Sequence, residues 1–171
     1  GILCDIGSHQ VEQFMHFTGA EDAVVRYARV ANLAHPEHPE LEDFGEAALA
    51  TDDGRGGYFR VDWFTPDGLS VWGDGRTFIV GDKGTMELRK YTDVGRSQEA
   101  DQLFVVTSEG ETRLSLRGKV GFPFFGELIL DCLERTERAM TQAHAFRAAE
   151  LCLEAQALAD RSWRGRMDRP A

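Results

Sequence analysis

The spacing of apolar residues predicts a helix at the start of the chain. Between residues 3 and 17 apolar side chains recur every three or four positions, which places them on one side of a helix. These side chains are Leu3, Cys4, Ile6, Val11, Phe14, Met15 and Phe17, with Gly7 among them. Asp5, His9, Glu12 and His16 follow one another at helical spacing and share the opposite side. Gly19 is the predicted end of this helix.

The middle of the chain, from about residue 23 to residue 116, has the patterning and turn residues of β-strands. The predicted strands cover residues 23–34, 46–51, 58–65, 77–80, 85–89, 104–107 and 112–116. In the third of them Phe59, Val61 and Trp63 share one face, while Arg60 and Asp62 share the other. The last four form two successive hairpins across glycine-containing turns, which predicts a mainly antiparallel sheet.

The end of the chain is predicted to be helical again. A helical period joins Phe125, Leu128, Ile129, Cys132, Leu133 and Met140. Thr141 is a suitable N-cap for a last helix that runs to about Asp160. The expected buried stripe of that helix is Ala148, Leu151, Cys152, Ala155 and Leu158. Phe122, Phe124 and Phe125 are expected in the core.

These elements together predict the fold class. It is α+β, with a mainly antiparallel β-sheet, helices packed on one face, and the other face available for oligomerisation.

The polar side of the first helix contains a candidate proton-transfer pair. Asp5 and His9 lie four residues apart, so their side chains can meet on a helix surface. Histidine titrates near neutral pH, and a neighbouring carboxylate selects its tautomer and raises its basicity. The same spacing also fits an exposed ion pair without catalytic function.

A family resemblance favours the catalytic interpretation. The segment Gly1-Ile2-Leu3-Cys4-Asp5-Ile6-Gly7-Ser8-His9 resembles the helix that opens the active site in the glucose–fructose oxidoreductase, inositol dehydrogenase and MocA family. That family has a glycine-rich lead-in, then Asp-x-Gly-x-His, and often an acidic residue three positions later. Here the acidic residue is Glu12, where many members have aspartate. Residues 79–88 and 144–151 are similar to the family's hairpin and closing helix, so the resemblance spans nearly the whole chain.

The resemblance implies an enzyme that uses NAD or NADP to oxidise or reduce a carbinol of a sugar, cyclitol or related polyol. It makes His9 the catalytic acid–base group and Asp5 its orienting partner. It also makes Asp5, His9 and Glu12 the substrate-binding residues.

The cofactor of the family belongs to a different domain. It sits on an N-terminal Rossmann domain with a glycine-rich loop and a Glu-Lys-Pro motif, and neither occurs in this sequence. We therefore expect residues 1–160 to be a C-terminal substrate-binding and oligomerisation domain, with 161–171 as a basic tail. We expect this chain to bind no cofactor and to be inactive without the Rossmann domain.

Charge and composition restrict the possible partners. The formal net charge is -10, from 29 acidic and 19 basic residues, which disfavours binding to nucleic acid or to anionic membranes. Apolar runs fall short of the roughly 18 residues that a membrane span requires. Cys4, Cys132 and Cys152 lie among apolar neighbours, so we expect buried reduced thiols and a cytoplasmic protein. The expected partners are a small polyol or sugar substrate, the Rossmann domain, and a second copy bound through the sheet.

Two other functions remain open at this stage. His9, Glu12 and His16 could coordinate one ion from a single helix side, as in a metal-dependent hydrolase, although no metal is expected under the first interpretation. The free sheet face could also make the chain a non-catalytic oligomerisation module.

Several other polar and aromatic residues have both a structural and a functional interpretation. His35 and His38 could bind a metal or lie in a solvated loop, and His144 could be a ligand or a packing residue. A further set could line a sugar site or decorate a sheet surface: Trp63, Trp72, Asp62, Asp74 and Arg76.

Overall fold

A computed structural model describes residues 1–167, with side chains as far as residue 161. In chain order its elements are α1 Gly7–Thr18, β1 Val24–Ala31, β2 Phe44–Ala50, β3 Gly56–Asp62, β4 Arg76–Gly81, β5 Gly84–Arg89, β6 Gln102–Thr107, β7 Gly110–Ser115, α2 Pro123–Glu134 and α3 Gln142–Met167. Every pair of neighbouring strands is antiparallel. The predicted α+β class and antiparallel pairing are therefore confirmed.

The described chain divides into two structural units. The first contains residues 1–64 and those from 124 onward, and the second contains residues 65–123. Each unit has its own sheet, with strand order β1-β2-β3 in the first and β4-β5-β6-β7 in the second. The strands thus form two sheets where a single one was expected.

The core of the first unit lies between one face of its sheet and the helices α1 and α3. Because side chains alternate along a strand, every second residue of β2 and β3 points to the helices. The buried residues are Ala47, Leu49, Phe59 and Val61 from these strands, Val11 and Met15 from α1, and Leu151, Cys152 and Ala155 from α3. The predicted stripe of α3 is confirmed, with Leu158 partly buried.

Glycine residues let α1 lie close to the sheet. A Cβ atom on Gly57 of β3 would stand 2.9 Å from Cε2 of Phe14 and closer still to Cδ2. A Cβ atom on Gly45 of β2 would stand 2.6 Å from Cγ2 of Ile2. Both distances are shorter than side chains tolerate, so these positions require glycine for this packing.

The first helix is shorter at its start than predicted. Residues 2–6 form turns, and regular helix begins at Gly7. It ends as predicted at Gly19, which has a left-handed φ of 66° and donates its N–H to the carbonyl of His16. Phe17, which belongs to the predicted apolar side of this helix, is nevertheless exposed. Phe17 lies six residues after Val11, which places it about 120° around the helix from the buried stripe.

The second helix departs most from the sequence prediction. Phe125, Ile129 and Leu133 are 71%, 62% and 75% exposed. The core position expected for Phe122, Phe124 and Phe125 is therefore wrong, and Cys132 is exposed as well. Helical periodicity reveals an apolar side but does not specify what packs against it.

Asp131 is the one residue of α2 that is buried. Its carboxylate accepts hydrogen bonds from the Thr136 hydroxyl at 2.6 Å and from the N–H groups of Arg138 and Ala139 at 2.9 Å each. The Thr136 hydroxyl and the two N–H groups, led by that of Arg138, lower the pKa of Asp131. This residue thus organises the turn between α2 and α3.

The start of α3 is capped and tied to β1. The Thr141 hydroxyl accepts a hydrogen bond from the N–H of His144 at 3.1 Å, which confirms the predicted N-cap. The Arg147 guanidinium contacts the Asp22 carboxylate at 2.6 Å and the Ala23 carbonyl at 3.0 Å.

Most side chains of the predicted tail 161–171 lie outside the described residues. None of the helices described combines the length and apolar composition of a membrane span.

Candidate active site on the first helix

Asp5 and His9 lie at the start of α1, and both side chains are exposed. Asp5 belongs to the turn before the helix, where its carbonyl accepts a hydrogen bond from the Ser8 hydroxyl at 2.7 Å. His9 occupies the first turn of the helix, and its N–H donates to the carbonyl of Ile6 at 3.3 Å. Within the described residues, no hydrogen bond joins the Asp5 carboxylate to the His9 ring.

The opposite side of the same segment fixes its backbone. Leu3 and Val11 are fully buried in the core of the first unit. Gly7, the glycine of the Asp-x-Gly-x-His pattern, lies where α1 approaches β3. A Cβ atom there would stand 3.3 Å from Cε2 of Phe59. The glycine therefore allows the first turn of α1 to lie against the sheet while His9 points to solvent.

Glu12 follows on the same side of α1 and is half-buried. Its Oε1 atom lies 3.3 Å from Nε2 of His144 in the first turn of α3. Since an ionised carboxylate only accepts hydrogen bonds, the imidazole must be the donor. The candidate site therefore includes a residue of α3 that is 132 positions away in sequence. Local spacing does not link the two residues, and the sequence alone indicates either a packing residue or a ligand at His144.

The metal-dependent alternative lacks a ligand cluster. Among the described residues, no group of three histidine, cysteine, aspartate or glutamate side chains is arranged to hold a metal ion. His16 is exposed and packs edge-on against the neighbouring ring of Phe17, with 5.5 Å between centroids. The arrangement of His9, Glu12 and His16 thus gives the hydrolase interpretation no support.

The loop that contains His35 and His38 is organised by a buried carboxylate. Asp43 is fully buried and accepts hydrogen bonds from the N–H groups of Leu33 and Ala34 at 2.8 Å and from Nδ1 of His35 at 2.9 Å. Burial alone would raise the pKa of Asp43. The hydrogen bonds, with that of His35 the largest, outweigh burial and lower it. The bond to Asp43 gives His35 a structural role in this loop. His38 is exposed.

The residues considered for a sugar site belong to different structural units. Trp63 and Asp62 lie in the first unit, while Trp72, Asp74 and Arg76 lie in the second. The carboxylate of Asp62 is engaged by Arg60 at 2.7 Å, and that of Asp74 by Arg76 at 2.7 Å. Both carboxylates thus have protein partners, which favours the interpretation as sheet decoration.

The described residues contain no Rossmann-type cradle for a dinucleotide. Dinucleotide cradles join a parallel strand to a helix N-terminus through a glycine-rich loop. Here both sheets are antiparallel, and the glycines between residues 73 and 81 lead into β4.

Comparison with known families identifies the chain. The sequence pattern of the GFO/IDH/MocA C-terminal domain matches residues 1–87, about half of the chain and the part that contains α1. The chain belongs to this family. A comparison with curated protein sequences finds no match.

Solved structures extend the similarity over nearly the whole domain. A protein from Erwinia carotovora atroseptica, provisionally described as an oxidoreductase, is 54% identical over 93% of this chain, with a TM-score of 0.90. An Agrobacterium radiobacter oxidoreductase in complex with NAD+, L-tartaric acid and magnesium is 19% identical over 91% of the chain, with a TM-score of 0.66. The WlbA dehydrogenase from Bordetella pertussis, in complex with NADH and UDP-GlcNAcA, is 24% identical over 96%, with a TM-score of 0.58. The last two show the fold alone.

This GFO/IDH/MocA domain is shorter than the proteins it resembles. It spans 47%, 46% and 43% of those three chains, respectively.

Proposed function

We propose that this chain is the C-terminal, substrate-side domain of an NAD(P)-dependent oxidoreductase that acts on a carbinol of a sugar, cyclitol or related polyol. The observation that supports this most directly is the geometry of the Asp-x-Gly-x-His segment. Asp5 and His9 are exposed, whereas Leu3, Gly7 and Val11 on the other side are buried. The site is thus open to a small molecule and rests on a fixed backbone.

The proposed chemistry at this site is proton transfer. Oxidation of a carbinol removes a proton from its oxygen and a hydride from its carbon, and the nicotinamide bound to the other half would accept the hydride. His9 takes the hydroxyl proton on a ring nitrogen as the carbonyl forms, and returns it in the reverse reaction. Asp5, four residues earlier in the chain, stabilises the imidazolium and orients the ring. Glu12 accepts a hydrogen bond from a second substrate hydroxyl.

The relatives support the proposed substrate class. L-tartaric acid and UDP-GlcNAcA, the molecules bound in two of them beside NAD+ or NADH, both contain hydroxyl groups on carbon. Family membership supports the same reaction class. We propose that residues 1–160 form the substrate-binding and oligomerisation domain, with 161–171 as a tail, and that the dinucleotide binds in the half that the relatives have in addition.

Replacement of His9 tests the proposed role. In the protein that includes the nicotinamide-binding half, His9→Ala should lower kcat by about 10²- to 10⁴-fold, because it removes the proton acceptor. The dissociation constant for the dinucleotide should not change. His16→Ala is the control, since it removes another exposed histidine of α1. Near-normal turnover of the His9 variant would assign proton transfer to a different group.

The domain on its own should lack both activity and a dinucleotide site. Isothermal titration of this chain with NAD or NADP should give no binding heat. Tight binding of either would contradict the assignment of the cofactor to the other half.

We also propose that the domain self-associates through the face of β1–β3 that points away from the helices. Exposed tyrosines lie there, and the hydroxyl groups of Tyr58 and Tyr27 donate to the Glu46 carboxylate at 2.6 and 2.7 Å. Exposed aromatic side chains are typical of interfaces. Light scattering should give at least the mass of a dimer. Tyr58→Glu should lower this measured mass, whereas Leu153→Glu, on the exposed side of α3, should leave it unchanged. A monomeric wild type would contradict the proposal.

A further inference from the structure

We propose that His144 is a positioning residue that holds the Glu12 carboxylate beside His9, so that the start of α3 forms part of the substrate site. This inference rests on the function proposed above. The observation behind it is the contact between Nε2 of His144 and Oε1 of Glu12 at 3.3 Å. The distance is slightly longer than the usual range for an N–H···O bond, which is about 2.7–3.2 Å, so its effect on binding should be moderate.

Both partners belong to elements that are fixed in the same unit. His144 is the third residue of α3, and its N–H is held by the Thr141 cap. Ala148 and Leu151, one and two turns further along α3, are buried in the core. The side chains of His144 and Glu12 are 22% and 33% exposed. The bond thus lies at the boundary of the core, where water competes less than at a fully exposed site.

The bond has a consequence for the free oxygen of Glu12. Glu12 lies three residues after His9, so the two side chains are neighbours on the helix surface. With Oε1 held by His144, the carboxylate plane is restrained and Oε2 remains to accept a hydrogen bond from a substrate hydroxyl. An aspartate at this position would be one methylene shorter. The longer glutamate therefore reaches α3 and obtains an anchor that the shorter side chain would lack.

A double-mutant cycle tests whether His144 anchors Glu12. It uses the protein that includes the nicotinamide-binding half. The measured reaction is NADH or NADPH formation from myo-inositol, D-glucose or L-tartrate. His144→Leu should raise KM about 3- to 10-fold, the effect of one hydrogen bond, and change kcat less than about 2-fold. Glu12→Asp should raise KM similarly, and the double variant should be no worse than either single one. His144→Gln should restore much of the affinity, because its amide can donate from a similar position.

Gln142→Ala is the matched control for this cycle. Gln142 lies in the same turn of α3 and donates instead to Glu137 at 2.9 Å. KM should stay at the wild-type value. Additive effects of the His144 and Glu12 substitutions on KM would overturn the proposal that His144 anchors Glu12. So would a KM for His144→Gln as high as that for His144→Leu.

A spectroscopic measurement separates this inference from the proposed function. If none of the three compounds is oxidised, the proposed function fails for that substrate class. The pair is then judged in the present chain by ¹⁵N spectra of the histidine rings. A protonated Nε2 of His144 whose resonance moves on Glu12→Gln supports the contact. A resonance that stays unchanged overturns it.

Discussion

Because α1 lies close to β3, we expect alanine to have different effects on stability at two adjacent glycines. A Cβ atom on Gly57 would overlap the ring of Phe14, whereas one on Gly56 would come no nearer than 3.7 Å to the carbonyl of Leu49. Neither glycine has a positive φ, so alanine suits both backbones. Gly56→Ala is therefore a matched control for Gly57→Ala.

The expected difference follows from these distances. Relaxed carbon–carbon contacts lie at about 3.5–4.0 Å, so the Phe14 ring must retreat by roughly 1 Å in Gly57→Ala. Overpacking of this kind costs about 1–3 kcal/mol. Both substitutions also stabilise by about 0.4–1 kcal/mol, because alanine restricts the unfolded chain. That contribution cancels between the variants, and Gly57→Ala should be less stable than Gly56→Ala by about 1–3 kcal/mol.

Urea unfolding followed by far-ultraviolet circular dichroism measures this difference as a shift of the midpoint at constant slope. A further comparison places the two changes in a Phe14→Ala background, where the extra cost at Gly57 should disappear. Equal stability of the two alanine variants would refute the reasoning. So would a cost at Gly57 that persists without the Phe14 ring.

Two more predictions concern Asp43 and the cysteines. Since its pKa is lowered in the folded state, the stability that ionised Asp43 contributes is present above the unfolded pKa, near 3.8, and is lost as pH falls through the folded value. Asp43→Asn should thus lower the free energy of unfolding, measured with urea at pH 7, by about 1–3 kcal/mol. The difference from wild type should become smaller in acid, and a difference that does not change with pH would contradict this reasoning. Burial raises the pKa of the Cys152 thiol to about 11 and also raises that of Cys4, while Cys132 is exposed. Iodoacetamide should therefore label Cys132 first in the native chain, and rapid labelling that survives Cys132→Ser would count against this.

Local signals in the sequence were sufficient for most elements of the fold. Gly19 ends α1 because a left-handed residue is needed there, and Thr141 caps α3 through its own hydroxyl. The two hairpins of the second unit turn at residues 82–83 and 108–109, where glycine-containing turns were predicted. Each of these features depends on interactions within a few residues, which is why pattern and spacing predict it.

The site was partly predictable for the same reason. The motif that contains Asp5 and His9 is contiguous, and its position on the polar side of α1 follows from helical spacing. The partner of Glu12 was not predictable, because His144 comes near it only when α3 packs beside α1. The anchoring of His35 by Asp43 likewise depends on how the loop closes over the end of the sheet.

The sequence by itself determined the helices, the strands, their antiparallel pairing and the polar motif, because each arises from local periodicity and turn chemistry. Only the tertiary structure decided how the strands divide into two sheets and which apolar sides are covered. The apolar residues of α2 show the difference, since their period is helical and yet Phe125 and Leu133 remain exposed. An amphipathic pattern expresses a tendency to be buried, whereas burial itself requires a second surface that arrives from a distant part of the chain.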